Sequence, residues 1–267
     1  MEPSKEKRFN LAFNIFLVVG MIVAVTITTV FKLQQPQAKT FLLLLAAFGS
    51  VMGVINTVLS ANGHILTFVF GFLDVLAATV VCYENGIMGN FALHAFYFLP
   101  MQFIGFWQWR KRGASVGRGK EEDTKVRARR LTSRQWIWVI VGVLAGIIIL
   151  YGILYYVDLA KLEAGKILTI NKSKILLDAA VMALNITGQV LLSFAFMEQW
   201  YIWILVNISS ISLWTVTLMS GVGSGNAAVM LIKYIFYLMN SVNGLRIWLN
   251  LCKQADSQRV PTTNLDN

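Results

Sequence analysis

The feature that most constrains the fold of this chain is the repetition of long apolar runs. Several runs reach 18 residues or more, which is enough helix to cross a hydrocarbon layer about 30 Å thick. Hydrophobic residues make up 57% of the chain and charged residues only 13%, whereas about 25% of an ordinary soluble domain is charged. A soluble core has no use for so much apolar sequence, so we predict an integral membrane protein.

Hydropathy and turn chemistry divide the sequence into eight predicted membrane spans, which makes the fold class an all-α polytopic membrane protein. The predicted spans are 10–31, 40–60, 64–83, 87–109, 135–156, 173–197, 200–219 and 226–250. Turn sequences at Asn62-Gly63, at Asn85-Gly86 and from Gly221 to Gly225 should make consecutive helices close neighbours. No cleavage site accompanies the first span, so we expect it to be retained.

Basic residues are concentrated on one predicted side of the membrane. Loop 110–134 holds ten Lys and Arg residues. Both termini and the turns at 61–63 and 198–199 are predicted on the same side of the membrane as this loop. That side holds fifteen Lys and Arg residues in all, and the opposite side holds about six. By the positive-inside rule both termini are cytoplasmic. The net charge of +10 is explained by the orientation signal of the basic loop and by its attraction to anionic lipid, so we expect no nucleic-acid partner. Cys82 and Cys252 then fall near opposite faces, and we expect no disulfide between them.

A faint internal repeat divides the chain into two similar parts. A shift of 139 residues aligns Gly86 with Gly225, Leu99 with Leu238, Gly105 with Gly244 and Trp109 with Trp248. Four identities can also arise by chance. If the repeat is real, two three-helix units lie parallel about one linking helix, with a solute path between them. The predicted organisation is an N-terminal tail and extra helix (1–35), a first repeat (36–109), a basic cytoplasmic loop (110–134), a linking helix and loop (135–172), a second repeat (173–251) and a polar tail (252–267).

Two indoles and one amide share a face of the predicted span 200–219. Trp200, Trp203 and Asn207 follow at steps of three and four residues, which puts Asn207 roughly 10 Å deeper than Trp200. Aromatic faces with one deep amide suit a flat, uncharged or weakly cationic solute. The alternatives are an interfacial aromatic belt for Trp200, with Glu198 among the headgroups, and helix-to-helix hydrogen bonding for Asn207. We favour a ligand site.

The last predicted span carries a second polar stripe. Lys233, Tyr237, Asn240 and Gly244 recur at helical spacing, with Tyr234 and Asn243 beside them. Several polar side chains through one span indicate a wet or ligand-lined face, although Lys233 can also extend to the membrane surface.

In the matching span of the first repeat, Pro100 and Gln102 lie near the middle. Proline removes a backbone donor, so a kink is predicted there, either as a hinge or as a static bend.

Two acids lie within or near the predicted spans. Asp74 falls in the middle of its span and must be neutral, paired or hydrated, so a proton or cation role and a structural pair are both open. Asp178 lies about one turn inside its span and can simply face headgroups, while Asn185 and Gln189 share a face farther along that helix. Gly49 and Gly53 form a GxxxG pair typical of close helix packing.

No enzyme signature is present in the sequence. There is no HExxH zinc motif, no phosphate-binding loop and no Gly-x-Ser-x-Gly element. We therefore predict no catalytic residues, no metal site and no cofactor.

Three stretches, together with the plan of three, one and three helices, resemble the bacterial nicotinamide riboside transporter family, PnuC. The stretches are Glu198-x-Trp200-x2-Trp203-x3-Asn207, Tyr97-Phe-Leu-Pro100-Met-Gln102-x2-Gly105-Phe-x2-Trp109-Arg-Lys and Tyr237-x2-Asn240-x2-Asn243-Gly244-x3-Trp248. The resemblance covers about residues 40–250. The Gly and Pro matches also occur in SWEET-like and PQ-loop-like membrane proteins, and the first span looks like an addition to a seven-helix core.

The resemblance implies a SWEET-like fold and uptake of nicotinamide riboside, a vitamin B3 nucleoside used in NAD biosynthesis. It implies facilitated diffusion across the bacterial inner membrane, a homotrimer with one pathway per protomer, and a cytoplasmic kinase that traps the solute by phosphorylation. By motif position, the substrate-binding residues are Trp200, Trp203, Asn207 and Asn240, followed by Gln102, Tyr237, Asn243 and their neighbour Tyr234. Candidates for the pathway or its gating are Glu198, Asp74, Gln189 and Pro100.

Three alternatives to this function remain open on the sequence. A thiamine- or riboflavin-selective relative could use the same aromatic and amide side chains. A proton-coupled transporter would depend on Asp74, and a non-transporting membrane scaffold would keep a dry interior with its amides paired to each other. Because no nucleotide motif or array of buried acids is present, we predict gradient-driven flux, with rocking of the two repeats.

Overall fold

The computed structural model describes residues 3–34, 39–85, 88–116, 124–166, 168–219 and 224–257, and these residues are almost entirely helical. The helices are α1 (Pro3–Leu33), α2 (Thr40–Ala61), α3 (Thr67–Glu84), α4 (Met88–Leu93), α5 (Leu99–Lys111), α6 (Ser133–Glu163), α7 (Lys172–Ser193), α8 (Gln199–Met219) and α9 (Ser224–Ser257). Gly86, the turn at Gly221–Gly223 and the tail beyond Ser257 lie outside the described residues. Cys82 and Cys252 are not joined by a disulfide.

Helices long and apolar enough to span a membrane occur along the described chain. Five segments meet both criteria: Lys5–Phe31, Thr40–Ala61, Thr67–Glu84, Ser133–Glu163 and Lys172–Ser193. Much of their apolar surface is exposed, and α6 contains no buried residue. Exposed apolar helices of this length need a hydrocarbon environment, which agrees with a multi-pass membrane protein.

Two turns connect helix pairs in the same way, and only one of them carries a sequence signal. Gly63 after α2 has a φ of +69°, which glycine adopts easily, whereas Ala195 after α7 has a φ of +59°. Because alanine gives no turn signal, the span predicted to end at residue 197 in fact ends at Ser193. The predicted turn at 198–199 is therefore wrong, since residues 194–198 form the connection.

The predicted irregularity at Pro100 appears as a change of helix type. A π-helical turn, His94–Phe98, joins α4 to α5, and Pro100 occupies the first turn of α5, where its missing N–H costs least. The predicted span 87–109 is therefore an interrupted helix.

Helix packing groups the chain into two sets of neighbours. In the first set α2 packs on α3 and α3 packs on α5, while in the second α7 packs on α8 and α8 packs on α9. The two sets meet where α2 contacts α9 and where α5 contacts α7. The additional helix α1 packs against α2 and α9, and α6 packs against α7.

Equivalent side chains make equivalent contacts where these sets meet. Trp109 on α5 donates its indole N–H to the carbonyl oxygen of Leu192 at 2.8 Å, and Trp248 on α9 donates to that of Ser60 at 3.0 Å. A Cβ added at Gly244 would lie 2.6 Å from the Trp200 ring, and one added at Gly105 would collide with Phe68. The residue pairs Trp109/Trp248 and Gly105/Gly244 are two of the four identities of the sequence repeat.

Residues 124–131, which we call the clamp segment, join the two turns. The backbone of Val126 donates to Gly63 at 3.0 Å, and that of Arg129 donates to Ala195 at 3.0 Å. Met197 donates back to Arg129 at 2.9 Å. At the same end of the bundle, the start of α1 contacts α9, because Arg246 donates to Asn10 and Asn250 donates to Glu6. The N-terminal helix, both turns and the end of α9 therefore share one end of the bundle.

Candidate functional site

A cavity of about 230 Å³ lies among α2, α7, α8 and α9, and we call it the central cavity. Its described lining comprises Asn56, Thr57, Ser60, Val181, Asn185, Gln189, Leu192, Trp200, Trp203, Val206, Asn207, Ser210, Tyr234, Tyr237, Asn240 and Ser241. A cavity of about 150 Å³ holds benzene. The central cavity is therefore large enough for one aromatic ring with polar substituents.

The stripe on α8 supplies one wall of the central cavity. Trp200 is 3% exposed, so it is packed inside the protein and does not belong to an interfacial aromatic belt. Its indole N–H is buried without a hydrogen-bond partner among the described residues. One turn deeper, the Trp203 ring lies against Gly188 of α7, where an added Cβ would be 3.0 Å from it. A larger residue at position 188 would require the Trp203 ring to shift.

Asn207 has a structural contact as well as a place in the cavity wall. Its amide Nδ2 donates to the Ser241 hydroxyl at 3.0 Å, and Ser241 donates to the carbonyl oxygen of Tyr237 at 2.8 Å. The first of these bonds joins α8 to α9, as the helix-to-helix alternative supposes, and the second lies within α9. The same side chain lines the central cavity, so it combines a packing contact with a place in the cavity wall.

The stripe on α9 supplies the opposing wall. Asn240 is 4% exposed and donates from Nδ2 to the carbonyl oxygen of Thr57 at 3.0 Å, while its Oδ1 is buried without a partner among the described residues. Tyr234 and Tyr237 lie beside it, with ring centroids 6.2 Å apart and nearly perpendicular planes. A buried acceptor with no donor is costly, so a bound ligand that donates to Asn240 would remove this cost.

Polar residues of α2 and α7 complete the lining. Gln189 and Asn185 come from α7, and the sequence had placed both on one face. Asn56, Thr57 and Ser60 of α2 were not among the predicted residues. Asn56 is a side-chain amide inside an apolar span, which is the same signal that identified Asn207, so the sequence contained enough information to find it.

Several predicted residues lie elsewhere. Gln102 is buried beside Asn56, which lines the cavity. A Cβ added at Gly71 would lie 2.5 Å from the Gln102 Oε1 and 3.3 Å from the Asn56 side chain. Asn243 accepts a hydrogen bond from Arg246 at 2.9 Å, on the face toward α1. Both amides therefore support the packing around the central cavity and do not line it.

The predicted pathway residues also have other positions. Glu198 is 4% exposed and accepts from the backbone N–H of Leu131 at 3.0 Å, so it anchors the clamp segment and is not among headgroups. Asp74 packs against Gly53 and lies within electrostatic reach of Lys233. Pro100 adjoins the π-helical turn. Of the four pathway candidates, Gln189 is the one that lines the central cavity.

The central cavity is lined by polar but uncharged side chains together with aromatic rings. Five side-chain amides, two phenols and two indoles line its described part, and that part includes no Asp, Glu, Lys, Arg or His. Indole faces attract planar and cationic rings, and amides can donate and accept at the same time. Such a lining suits a small aromatic ligand with carboxamide or hydroxyl groups, and it holds no base to neutralise a phosphate.

An aromatic cluster, which we call the aromatic seal, adjoins the central cavity. We define it as Phe68, Trp109 and Trp248, which belong to a buried apolar cluster with Met197. Phe68 meets Trp109 edge to face at 4.9 Å, and the two indoles lie 5.6 Å apart. The seal lies between the central cavity and the clamp segment, because Trp248 packs against Trp200 at 6.2 Å and Val126 and Ala128 belong to the same cluster.

Comparison with known protein families identifies one that matches most of the chain. The family described as nicotinamide mononucleotide transporter matches residues 43–250. This range includes α3 to α8, nearly all of α2 and most of α9, and it excludes α1. All the residues that line the central cavity fall within the match.

Individual relatives match a similar part of the chain. The nicotinamide riboside transporter PnuC of Neisseria mucosa is 32% identical over 215 residues, which are 80% of this chain and 75% of that protein. The transporter of the same name from Haemophilus influenzae is 26% identical over 212 residues, covering 79% and 82% of the two chains. A crystal structure of the vitamin B3 transporter PnuC has a TM-score of 0.61 and 29% identity, and the likeness covers 90% of this chain and 93% of that one.

Proposed function

Since this chain belongs to the nicotinamide mononucleotide transporter family, and is therefore a membrane transporter and not an enzyme, we propose that it carries nicotinamide riboside through the central cavity. The observation that supports this ligand most directly is the lining of two indoles and five amides without a charged side chain. The pyridinium ring of nicotinamide riboside is a flat cation that stacks on indoles, and its carboxamide and ribose hydroxyls match amide partners.

The lining favours the nucleoside over its phosphorylated form. A phosphate monoester carries up to two negative charges and is bound in proteins by Lys, Arg or clustered backbone N–H groups. No Lys or Arg lines the described part of the central cavity. Nicotinamide riboside is therefore preferred over nicotinamide mononucleotide, while thiamine and riboflavin remain the competing vitamins.

Two unpaired polar atoms lie where the proposed solute would bind. A scaffold with a dry core would pair its amides internally, as Asn207 does with Ser241. The Asn240 carbonyl oxygen and the Trp200 N–H are instead buried without partners among the described residues. In this proposal they bind hydroxyl and carbonyl groups of the solute.

We assign the membrane arrangement from the packing together with the charge distribution. Helices α2–α5 and α7–α9 form the two three-helix repeats of a SWEET-like core, α6 links them, and α1 is an eighth span outside the core. The domain boundaries predicted from sequence are retained. The excess of Lys and Arg that the sequence predicts on the side of loop 110–134 supports, by the positive-inside rule, a cytoplasmic position for the end with the clamp segment and for both termini, in the bacterial inner membrane.

Transport is gradient-driven in this scheme. The two repeats rock against each other, and the aromatic seal opens when the central cavity faces the cytoplasm. A cytoplasmic nicotinamide riboside kinase then phosphorylates the solute, whose new charge prevents its return. The protein is proposed to be a homotrimer with one pathway per protomer, with the uncovered apolar surface of α6 available to lipid and to neighbouring copies.

Calorimetric titration of the purified protein tests the ligand. We expect saturable heat with nicotinamide riboside and weaker or no heat with nicotinamide mononucleotide, thiamine and riboflavin. Uptake of nicotinamide riboside into empty proteoliposomes, without ATP or an ion gradient, tests facilitated diffusion. If nicotinamide riboside gives no binding heat but another vitamin does, that vitamin is the ligand. No binding heat with any of the four compounds would reject the site.

A further inference from the structure

A second polar cavity, of about 360 Å³, lies at the end of the bundle that carries the clamp segment. Three arginines contribute to its lining, and we call it the arginine pocket. Its described lining residues are Arg112, Ala128, Arg129, Arg130, Thr132, Gln135, Phe196 and Cys252. None of these residues lines the central cavity, so the arginine pocket is a separate feature of the molecule.

Two of the guanidinium groups are held in position by the protein. Arg129 donates from Nε to the carbonyl oxygen of Phe194 at 3.0 Å, and its guanidinium carbon lies 3.9 Å from the centre of the Phe196 ring. Arg112 donates from Nε to the carbonyl oxygen of Arg127 at 2.9 Å. Fixing a guanidinium through Nε before a ligand arrives reduces the ordering cost of binding.

The arginine pocket brings three guanidinium groups together in its described lining. Arg129 is half-buried, so water screens its charge less than it would on an open surface. Burial also lowers the pKa of the Arg129 guanidinium, because it disfavours the charged form. An anion bound beside Arg129 would stabilise this charged form.

The pocket also adjoins the positive end of a long helix. Thr132 caps α6 through a reciprocal pair of bonds, since it accepts from the Gln135 backbone at 3.3 Å and its own backbone donates to the Gln135 side chain at 2.9 Å. The Gln135 Oε1 is thus used in the cap, and its Nε2 is a donor on the same side chain. The helix dipole and guanidinium groups act in the same sense on a nearby anion.

We propose that the arginine pocket binds a phosphate group, carried either by an anionic lipid or by a soluble phosphate compound. Planar guanidinium forks match phosphate oxygens in pairs, which a single lysine does not. A phosphate here contacts the end of α5, the clamp segment, the start of α6, the turn between α7 and α8 and the end of α9. It therefore contacts both repeats at the end of the bundle that carries the clamp segment.

The test compares one variant in the pocket with one beside it. Arg130 lines the pocket and is exposed, so Arg130→Gln removes one charge with little effect on packing. Arg134 is exposed, lies on the first turn of α6 and is not a lining residue, so Arg134→Gln is the matched control. Arg112→Gln serves as a second pocket variant.

Two measurements distinguish the sources of phosphate. Calorimetric titration with inorganic phosphate at constant ionic strength detects a soluble ligand. Native mass spectrometry after exchange into detergent with equal amounts of phosphatidylglycerol and phosphatidylcholine detects a retained anionic lipid. Nicotinamide riboside binding by the same samples confirms that each variant is folded, and it keeps a failure of this proposal separate from a failure of the transport proposal.

We expect saturable binding in at least one of the two measurements. Arg130→Gln and Arg112→Gln should each weaken it by about tenfold, the value of one charge-assisted hydrogen bond, while Arg134→Gln stays within about twofold of wild type. Binding in neither measurement would overturn the proposal. An equal loss in Arg134→Gln and Arg130→Gln would also overturn it, because general surface charge would then explain the binding.

Discussion

The aromatic seal and the central cavity are adjacent, and both contain buried polar atoms. In the seal, both indole N–H groups are paired, Trp109 with Leu192 and Trp248 with Ser60, and both tryptophans are 0% exposed. In the central cavity, the Trp200 N–H and the Asn240 Oδ1 are buried without partners among the described residues. The indole N–H groups of the seal are therefore paired, whereas that of Trp200 in the wall of the central cavity is not.

In our proposal, the paired indoles of the seal stabilise the fold, and the unpaired atoms of the central cavity bind the solute. A paired and fully packed indole contributes its whole burial to stability, so its loss should strongly destabilise the fold. An unpaired polar atom costs stability until a ligand satisfies it, so its loss should affect binding more than folding. Four substitutions compare the seal, the wall of the central cavity and an acid that belongs to neither.

The largest effect is expected in the seal. Trp248→Ala should lower the free energy of unfolding by about 3–5 kcal/mol, because it leaves a cavity and an unpaired Ser60 carbonyl. Thermal or denaturant unfolding in detergent measures the loss. Trp138 is 67% exposed, so Trp138→Ala is the control and should stay within about 0.5 kcal/mol of wild type. Similar losses in the two variants would mean that the seal does not stabilise the fold.

The second effect concerns ligand affinity. Asn207→Ala should weaken nicotinamide riboside binding by about tenfold or more, because the solute loses a partner in a buried site. The lost bond to Ser241 should cost only about 1 kcal/mol of folding free energy. Calorimetry and unfolding are measured on the same protein, with the exposed Asn85→Ala as the control. Wild-type affinity in Asn207→Ala would remove this residue from the site.

A smaller effect is expected for the aromatic wall. Trp203→Ala should weaken binding by about threefold to thirtyfold, the range for stacking a cation on one indole. Trp203→Phe keeps a ring face and should recover part of this loss. Binding by the two variants measured side by side separates stacking from filling of space. Equal affinities in the two variants would argue against stacking on this side chain.

The smallest effect is expected at Asp74, which packs on Gly53 and does not line the central cavity. Asp74→Asn should change uptake into proteoliposomes by less than about twofold, with or without a proton gradient, because facilitated diffusion needs no titrating acid in the pathway. Tracer uptake under both conditions measures this. Loss of accumulation with intact exchange would support proton coupling instead.

The sequence predicted the helices well because their main signal is apolar length. Helix α2 was predicted to within one residue of its observed end, and the two aromatic and amide stripes lie on opposing walls of the central cavity. The turn at 194–198 was missed because Ala195 occupies a conformation that sequence patterns associate with glycine. Local sequence patterns are enough to predict single helices. A non-glycine residue with a positive φ leaves no pattern by which its turn could be predicted.

Tertiary partners could not be predicted in the same way. Asn243 belongs to the same stripe as Asn240, yet it contacts Arg246, and Arg246 in turn bonds to Asn10 of α1. Nothing in the spacing along α9 indicates that α1 covers this face. The arginine pocket was equally hidden, because the clamp segment, the start of α6 and the two helix ends meet only in the folded protein.

The most direct test of the proposed ligand site is an experimental structure with nicotinamide riboside bound. We expect ligand density in the central cavity, with the pyridinium ring stacked on the Trp203 indole at about 3.5–4 Å and a polar group of the solute at Asn207 or Asn240. Ligand density outside the central cavity, for example between α1 and α2, would contradict the assignment. So would a saturated complex in which Trp203, Asn207 and Asn240 all make no contact with the solute.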